Sequence, residues 1–163
     1  MDKVFYKCSK CERKLPQEKV FIIDHNYICV NCLYGKVEPF QIYPIGIVHN
    51  NLKRSKMNFG TVGKNGVSCV KLFPSQKPFL YKIDEEKRLT IVYYLHQVKQ
   101  IRSVFKRGLD GKEVGVFSSR TPDRLSRIAI QDVTLVKTEG TNLYIEGLDA
   151  IDGTPVLDIK LRI

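Results

Sequence analysis

At 163 residues with 43% hydrophobic content, the chain has room for one ordinary globular domain plus a small appendage, which excludes an intrinsically disordered protein. No stretch reaches the roughly 18 to 20 consecutive apolar residues of a spanning helix, and charges interrupt the opening MDKVFYKCSK where a signal peptide places its apolar core, so a cytoplasmic protein without a membrane role is expected. The net charge of +10 is uneven: residues 41–130 hold 17 basic and 6 acidic groups, whereas residues 131–163 hold 3 and 6.

Four of the five cysteines open the chain as two C-x-x-C pairs, Cys8 with Cys11 and Cys29 with Cys32, separated by seventeen residues. In a secreted miniprotein they would read as disulfides. Without an export signal the spacing predicts a tetrahedral four-thiolate zinc site, with each pair in a tight turn. Four thiolates leave no open position for water or substrate, so the zinc is structural. Between the pairs, 20–23 and 27–29 flank Asp24-His25-Asn26, which predicts a β-hairpin with a polar turn, and the whole reads as a zinc ribbon. His25 lies at the far end of the hairpin and is read as a turn residue. Thioredoxin-like redox chemistry would need one pair at a strand-to-helix junction, not two pairs bracketing a hairpin.

Composition changes after Gly35, and Glu38-Pro39 with the approach to Pro44 reads as a linker. The expected domains are 1–40, the zinc-ribbon module, and 41–163. In the second, apolar β-branched runs at 45–49, 66–73, 89–95, 115–117, 128–136 and 143–146 predict short strands, with turns at Glu139-Gly140 and Asp152-Gly153. In the last strand Leu157, Ile159, Leu161 and Ile163 alternate with Asp158, Lys160 and Arg162, which predicts one buried face. Cys69, within VSCVKL, is read as a small buried hydrophobe. Residues 97–107 carry Val98, Ile101, Val104 and Phe105 at three- and four-residue steps, which predicts one helix ending at Gly108. Regular short strands without alternating long helices predict a mainly β fold, a closed or nearly closed β-barrel. No glycine-rich nucleotide loop occurs.

The basic middle segment predicts a polyanionic partner, since neutralising phosphates releases counterions; a merely solvated basic face is the plain alternative.

Three stretches carry a more specific signal. They are Pro44-Ile45-Gly46-Ile47-Val48, then Gly115-Val-Phe117-Ser-Ser-Arg120-Thr-Pro122-Asp-Arg124, and finally Gly147-Leu-Asp149-Ala-Ile-Asp152-Gly153-Thr154-Pro155-Val-Leu-Asp158-Ile-Lys160. Together they resemble the TsaA-like family, also called the TrmO family of tRNA methyltransferases, over roughly residues 42 to 163, with the cysteine module outside. The resemblance implies a usually dimeric β-barrel enzyme that uses S-adenosylmethionine to methylate N6 of the threonylcarbamoyl-modified adenosine beside the tRNA anticodon. It implies cofactor- or substrate-binding roles for Phe117, Arg120 and Arg124 on one loop, and for Asp149, Asp152, Gly153, Thr154 and Asp158 in a facing turn. Catalytic residues are not indicated. Two loop arginines suit bidentate recognition of a carboxylate such as that of the threonyl group. Gly147, Gly153 and Pro155 are equally explained by the turns they occupy.

The chain departs from the family pattern at defined places. Leu125-Ser126-Arg127-Ile128-Ala129 stands where the family reads Pro-Asn-Pro-Ile-Gly, Lys87-Arg88 replaces Ser-His, and Leu161-Arg162 replaces Pro-Tyr. The family's Pro-Arg-Gln is absent from 50–67. These departures leave a second expectation, a non-catalytic tRNA- or RNA-binding or adaptor protein on the same barrel, and a third, a methyltransferase with another acceptor.

Overall fold

The computed structural model describes residues 4–52 and 66–163; most of the segment that lacks the Pro-Arg-Gln motif lies outside the described residues. In chain order the strands are β1 (Phe5–Lys7), β2 (Lys14–Pro16), β3 (Val20–Ile23), β4 (Asn26–Cys29), β5 (Gly46–His49), β6 (Val67–Leu72), β7 (Arg88–Tyr94), β8 (Val104–Lys106), β9 (Glu113–Gly115), β10 (Ile128–Glu139), β11 (Asn142–Glu146) and β12 (Pro155–Leu161). A single short α-helix among the described residues, α1, spans Val30–Tyr34. No helix among them is long and apolar enough to cross a membrane.

The chain forms two compact units, Met1–Gln41 with Gln97–Ser126 and Ile42–His96 with Arg127–Ile163. The segment 97–126, assigned by sequence to the barrel domain, therefore packs with the cysteine module.

The second unit is a closed antiparallel barrel in the order β10-β11-β6-β5-β12-β7, so no edge strand is left unpaired. Period-2 alternation fills its interior. On β7, Leu89, Ile91 and Tyr93 are buried while Arg88, Thr90 and Val92 face outward; Val48, Val70, Leu72, Val133, Leu143, Ile145 and Val156 complete the core. Burying each such side chain contributes about 1.5–3 kcal/mol before conformational entropy is counted. Strand β5 runs tight against β6: a Cβ on Gly46 would lie 2.6 Å from the Lys71 carbonyl oxygen and 2.8 Å from Leu72 Cα.

Two sequence expectations fail inside the barrel. In β12 the register shifts between Val156 and Asp158, so Val156 rather than Leu157 is fully buried; beyond the shift Ile159 packs on the core opposite Ile91, while Leu161, the last residue of the strand, and Ile163 beyond it are exposed. A bulge adds one residue and inverts the alternation beyond it. In β6, Ser68, Val70 and Leu72 take the inward positions, which leaves Cys69 half-buried on the outer face opposite His49 and Tyr144.

In the first unit β1 pairs with β2 and β3 with β4, and the Tyr6 and Tyr27 rings stack at 4.5 Å between the two hairpins. The expected helix over 97–107 is absent. Ile101 instead forms a parallel bridge with Ile23, and β8 pairs with β9. Ile101 is 2% exposed. Three β-branched residues at 98, 101 and 104 suit extended backbone, and the edge of the β3–β4 hairpin supplies hydrogen bonds that a solvated helix would have to make alone. The strand expected over 115–117 is likewise displaced: β9 ends at Gly115, and Val116–Ser118 form a 3-10 turn.

Candidate metal centre and binding segments

Cys8, Cys11, Cys29 and Cys32 converge, their sulfur atoms all within 4.8 Å of one another. The first pair sits on the knuckle after β1, where Cys8 N–H donates to the Arg13 carbonyl and Glu12 adopts φ 60°. The second pair is not a plain turn: Cys29 ends β4 and Cys32 lies within α1. That is the strand-to-helix placement associated with redox pairs, yet here the other pair closes over it. The Cys11 and Cys29 sulfurs lie 3.8 Å apart. That distance is about the edge of a tetrahedron with metal–sulfur bonds of ~2.3 Å. The backbone N–H groups of Cys11 and Cys29 hold the Cys8 thiol down to about 6, while its neighbours Cys29 and Cys11 push Cys32 up to about 12. A divalent cation at the centre removes that conflict by stabilising all four thiolates together. Cys69 has no such company, and burial raises its pKa, so it remains a thiol.

In the same unit the loop 116–124 is built around Arg124. Its Nε donates to the Thr121 carbonyl at 3.0 Å, and Nη2 donates to the carbonyls of Ser119 (2.5 Å) and Val116 (3.3 Å). Ser119 Oγ closes the turn by donating to the Val116 carbonyl and accepting the Thr121 N–H. Thr121 is buried; Phe117 is 83% exposed and Arg120 also faces solvent. No hydrogen bond or ion pair among the described residues engages the Arg120 guanidinium. The two arginines thus divide the work: Arg124 shapes the loop and Arg120 is presented by it.

In the barrel unit the bend 147–154 brings Asp149, Asp152, Gly153 and Thr154 together. Gly147 and Gly153 take φ 87° and 78°, which only glycine adopts without strain. Asp152 Oδ1 accepts the Asn50 N–H at 3.2 Å and lies 3.7 Å from His49 Nδ1. Asn50 also donates from Nδ2 to Ser68 Oγ (3.0 Å) and the Ala150 carbonyl (2.8 Å), which ties the bend to β6. Thr154 is 2% exposed and serves the core. Asp149 is half-buried, and desolvation raises its carboxyl pKa. Asp158 is not part of this bend. It lies on β12 opposite Val92, accepts the Ile159 N–H and pairs with Lys160 at 2.6 Å.

The loop with Phe117, Arg120 and Arg124 thus belongs to one compact unit, and the bend with Asp149 and Asp152 to the other. Asn50, Gln131 and Tyr93 support the bend and were not singled out from sequence. A polar residue at an inward strand position, as with Gln131 beside Val133, is the signal that marks one of them.

These features define a closed six-stranded antiparallel barrel protein joined to a four-cysteine module of metal-site geometry. Residues 49–162 match the tRNA-methyltransferase O N-terminal domain, and the chain belongs to that family. A probable S-adenosyl-L-methionine-binding protein of Pyrococcus abyssi is 34% identical over 119 residues, covering 72% of this chain and 65% of the relative. A mouse tRNA (adenine(37)-N6)-methyltransferase is 35% identical over 100 residues, 57% of this chain and 23% of that protein. The chain therefore spans less than two thirds of the length of these relatives. The crystal structure of TrmO from Pseudomonas aeruginosa shares the fold, with a TM-score of 0.60 and 22% identity over 77% of this chain and 57% of that one.

Proposed function

We propose that this protein binds S-adenosylmethionine and transfers its methyl group to N6 of an adenosine beside the tRNA anticodon, in its threonylcarbamoyl-modified form. The observation that carries the reading is the family match over 49–162, which takes in both the Arg120 loop and the Asp149 bend. The cofactor supplies the reactive methyl as a sulfonium, so the protein's work is alignment and shielding. The residues present suit these molecules. Arg120 offers an exposed guanidinium fork for a carboxylate, Phe117 an exposed ring for a base, and the half-buried Asp149 an acceptor for hydroxyl groups. Arg124 holds the loop, and Asp152 with Gly153 shapes the bend. Exposed Lys99, Lys106 and Lys112 in the same unit as the loop suit a phosphate backbone.

The same reading assigns a structural zinc ion to Cys8, Cys11, Cys29 and Cys32, a homodimer as the working assembly, and the cytoplasm as its place. Its test is calorimetric titration with S-adenosylmethionine, followed by labelled methyl transfer to tRNA with and without the threonylcarbamoyl group. Donor binding with transfer only to modified tRNA supports it; no donor binding overturns it.

One observation favours a second reading, an RNA-binding adaptor without turnover. Arg127, where the family has a proline, sits in the left-handed region at φ 53°, so the segment after the Arg120 loop takes a backbone path closed to proline. Salt-sensitive tRNA binding without donor affinity would establish that alternative.

A further inference from the structure

Residues 101–103 form a connecting segment, with Ile101 in an isolated bridge to Ile23, held on both sides within the cysteine-containing unit. On one side stands the tip of the β3–β4 hairpin. Ile101 N–H donates to the Ile22 carbonyl at 3.2 Å and Asp24 N–H to the Ile101 carbonyl at 3.0 Å. The Asp24 carboxylate accepts the Ser103 N–H at 3.0 Å through Oδ1 and the Ser103 hydroxyl through Oδ2. On the other side stands the Arg120 loop. Arg102 N–H donates to the Asp123 carbonyl at 3.0 Å, Arg102 Nε pairs with the Asp123 carboxylate at 3.2 Å, and Val116 N–H donates to the Ser103 carbonyl at 2.9 Å. Ser103 thus receives Asp24 at its N–H and hydroxyl and returns its carbonyl to the first residue of the loop.

The hairpin tip is itself tightly specified. Asp24 and His25 take φ 47° and 64°, the two positive values of a two-residue hairpin turn, and Asn26 Nδ2 donates to the Asp24 carbonyl at 3.0 Å. Asp tolerates this backbone while its side chain remains available. The family match begins at residue 49, so this support for the loop comes from outside the family domain.

We propose that Asp24 is a positioning residue for the Phe117–Arg124 loop, acting through Ser103, so that the cysteine hairpin serves as the buttress of the loop that presents Arg120. The proposal rests on the functional reading only where it extends to donor binding. Asp24 touches neither donor nor acceptor; its effect is to hold residues 101–103 in place, which keeps Val116 and Asp123 bonded. Without the carboxylate one side of this segment loses its side-chain anchor, and the loop opens locally while the barrel stays closed.

The test is amide hydrogen exchange on the full metal-loaded chain, comparing Asp24→Ala, Asp24→Asn and Ser103→Ala with the wild type. Asp24→Ala is expected to speed exchange at Arg102 and Val116 by about tenfold, the loss expected of one hydrogen bond to a charged acceptor. Barrel amides at Val92 and Val133 should stay unchanged, and retained protection of the β3–β4 pairing shows that the cysteine-containing unit of the variant folds. Asp24→Asn retains a carbonyl oxygen for the Ser103 N–H and should restore most of the protection. Ser103→Ala, which removes only the hydroxyl contact, should fall between. Unchanged exchange at Val116 in Asp24→Ala overturns the buttress, as does faster exchange that Asp24→Asn fails to reduce. S-adenosylmethionine titration then separates the two ideas. Weaker binding in both Asp24→Ala and Arg120→Ala supports the positioning role, whereas weaker binding in Arg120→Ala alone overturns it. If the donor binds no form of the protein, faster exchange still upholds the buttress, and only the methyltransferase reading falls.

Discussion

Gln131 and Asp149 are joined through the side chain of the first and the backbone of the second: Gln131 Oε1 accepts the Asp149 N–H at 2.8 Å while its Nε2 donates to the Gly147 carbonyl. Tyr93 adds a bond from its hydroxyl to the Asp149 carbonyl at 3.1 Å. The bend is therefore held by its backbone, and none of these bonds reaches the Asp149 carboxylate.

Desolvation without a compensating partner raises the Asp149 pKa in the folded state. A raised folded-state pKa adds stability below the unfolded value of about 3.9, and that stability is lost as pH rises through the folded value. Asp149→Asn, which keeps shape but not charge, is expected to be more stable than the wild type at neutral pH. The advantage should shrink below about pH 4. Urea midpoints measured across that range decide it; a pH-independent difference would sink the argument.

Chelation should unfold the cysteine module selectively. Four sulfurs within 4.8 Å of one another are a costly arrangement without a central charge, and the hairpins are too small to bury a core. Removing metal, or the change Cys29→Ser, is expected to abolish protection of amides in β3 and β4 while β7 and β10 keep theirs. Cobalt substitution gives an independent readout through thiolate-to-metal absorption. Simultaneous loss of barrel protection would show that the two units do not fold separately.

The two loop arginines should separate cleanly on mutation. Arg124→Ala removes three donors from carbonyls of its own loop, at a cost of about 1–3 kcal/mol, and Arg124→Lys should fail to restore them because an ammonium lacks the planar fork. Arg120→Ala should leave stability within about 0.5 kcal/mol and weaken ligand binding instead. Thermal melts read beside donor titrations distinguish the two patterns.

Gly46→Ala tests the closure of the barrel. The added methyl meets the Lys71 carbonyl and Leu72 Cα, backbone atoms that cannot swing aside. An overpacking cost of about 1–3 kcal/mol is expected, read as a lower urea midpoint. A neutral substitution would mean that β5 and β6 separate easily.

Much of the barrel was legible because its signals are local. Leu89, Ile91 and Tyr93 alternate with outward residues, and Gly140 and Gly153 mark turns at positive φ. The bulge in β12 was not legible. Nothing in Val156-Leu157-Asp158 announces a register shift, since a bulge is decided by how two strands must twist to close the barrel. Periodicity misled at 97–107 for a related reason. Val98, Ile101 and Val104 fit a helical stripe, but an exposed hairpin edge offered Ile101 a bridge to Ile23, and tertiary hydrogen bonding outweighed a weak local preference.

The amino-acid order by itself determined the four-cysteine site, the strand-rich barrel and the family, because metal-ligand spacing, pleat alternation and turn glycines are short-range constraints written within a few residues. Only the tertiary structure decided that residues 97–126 leave the barrel strands to pack with the cysteine module, and that Asp24 reaches Ser103 across 79 positions. Such partners are chosen by which edges and buried faces remain unsatisfied once the local elements have formed, and that is a property of the assembled chain.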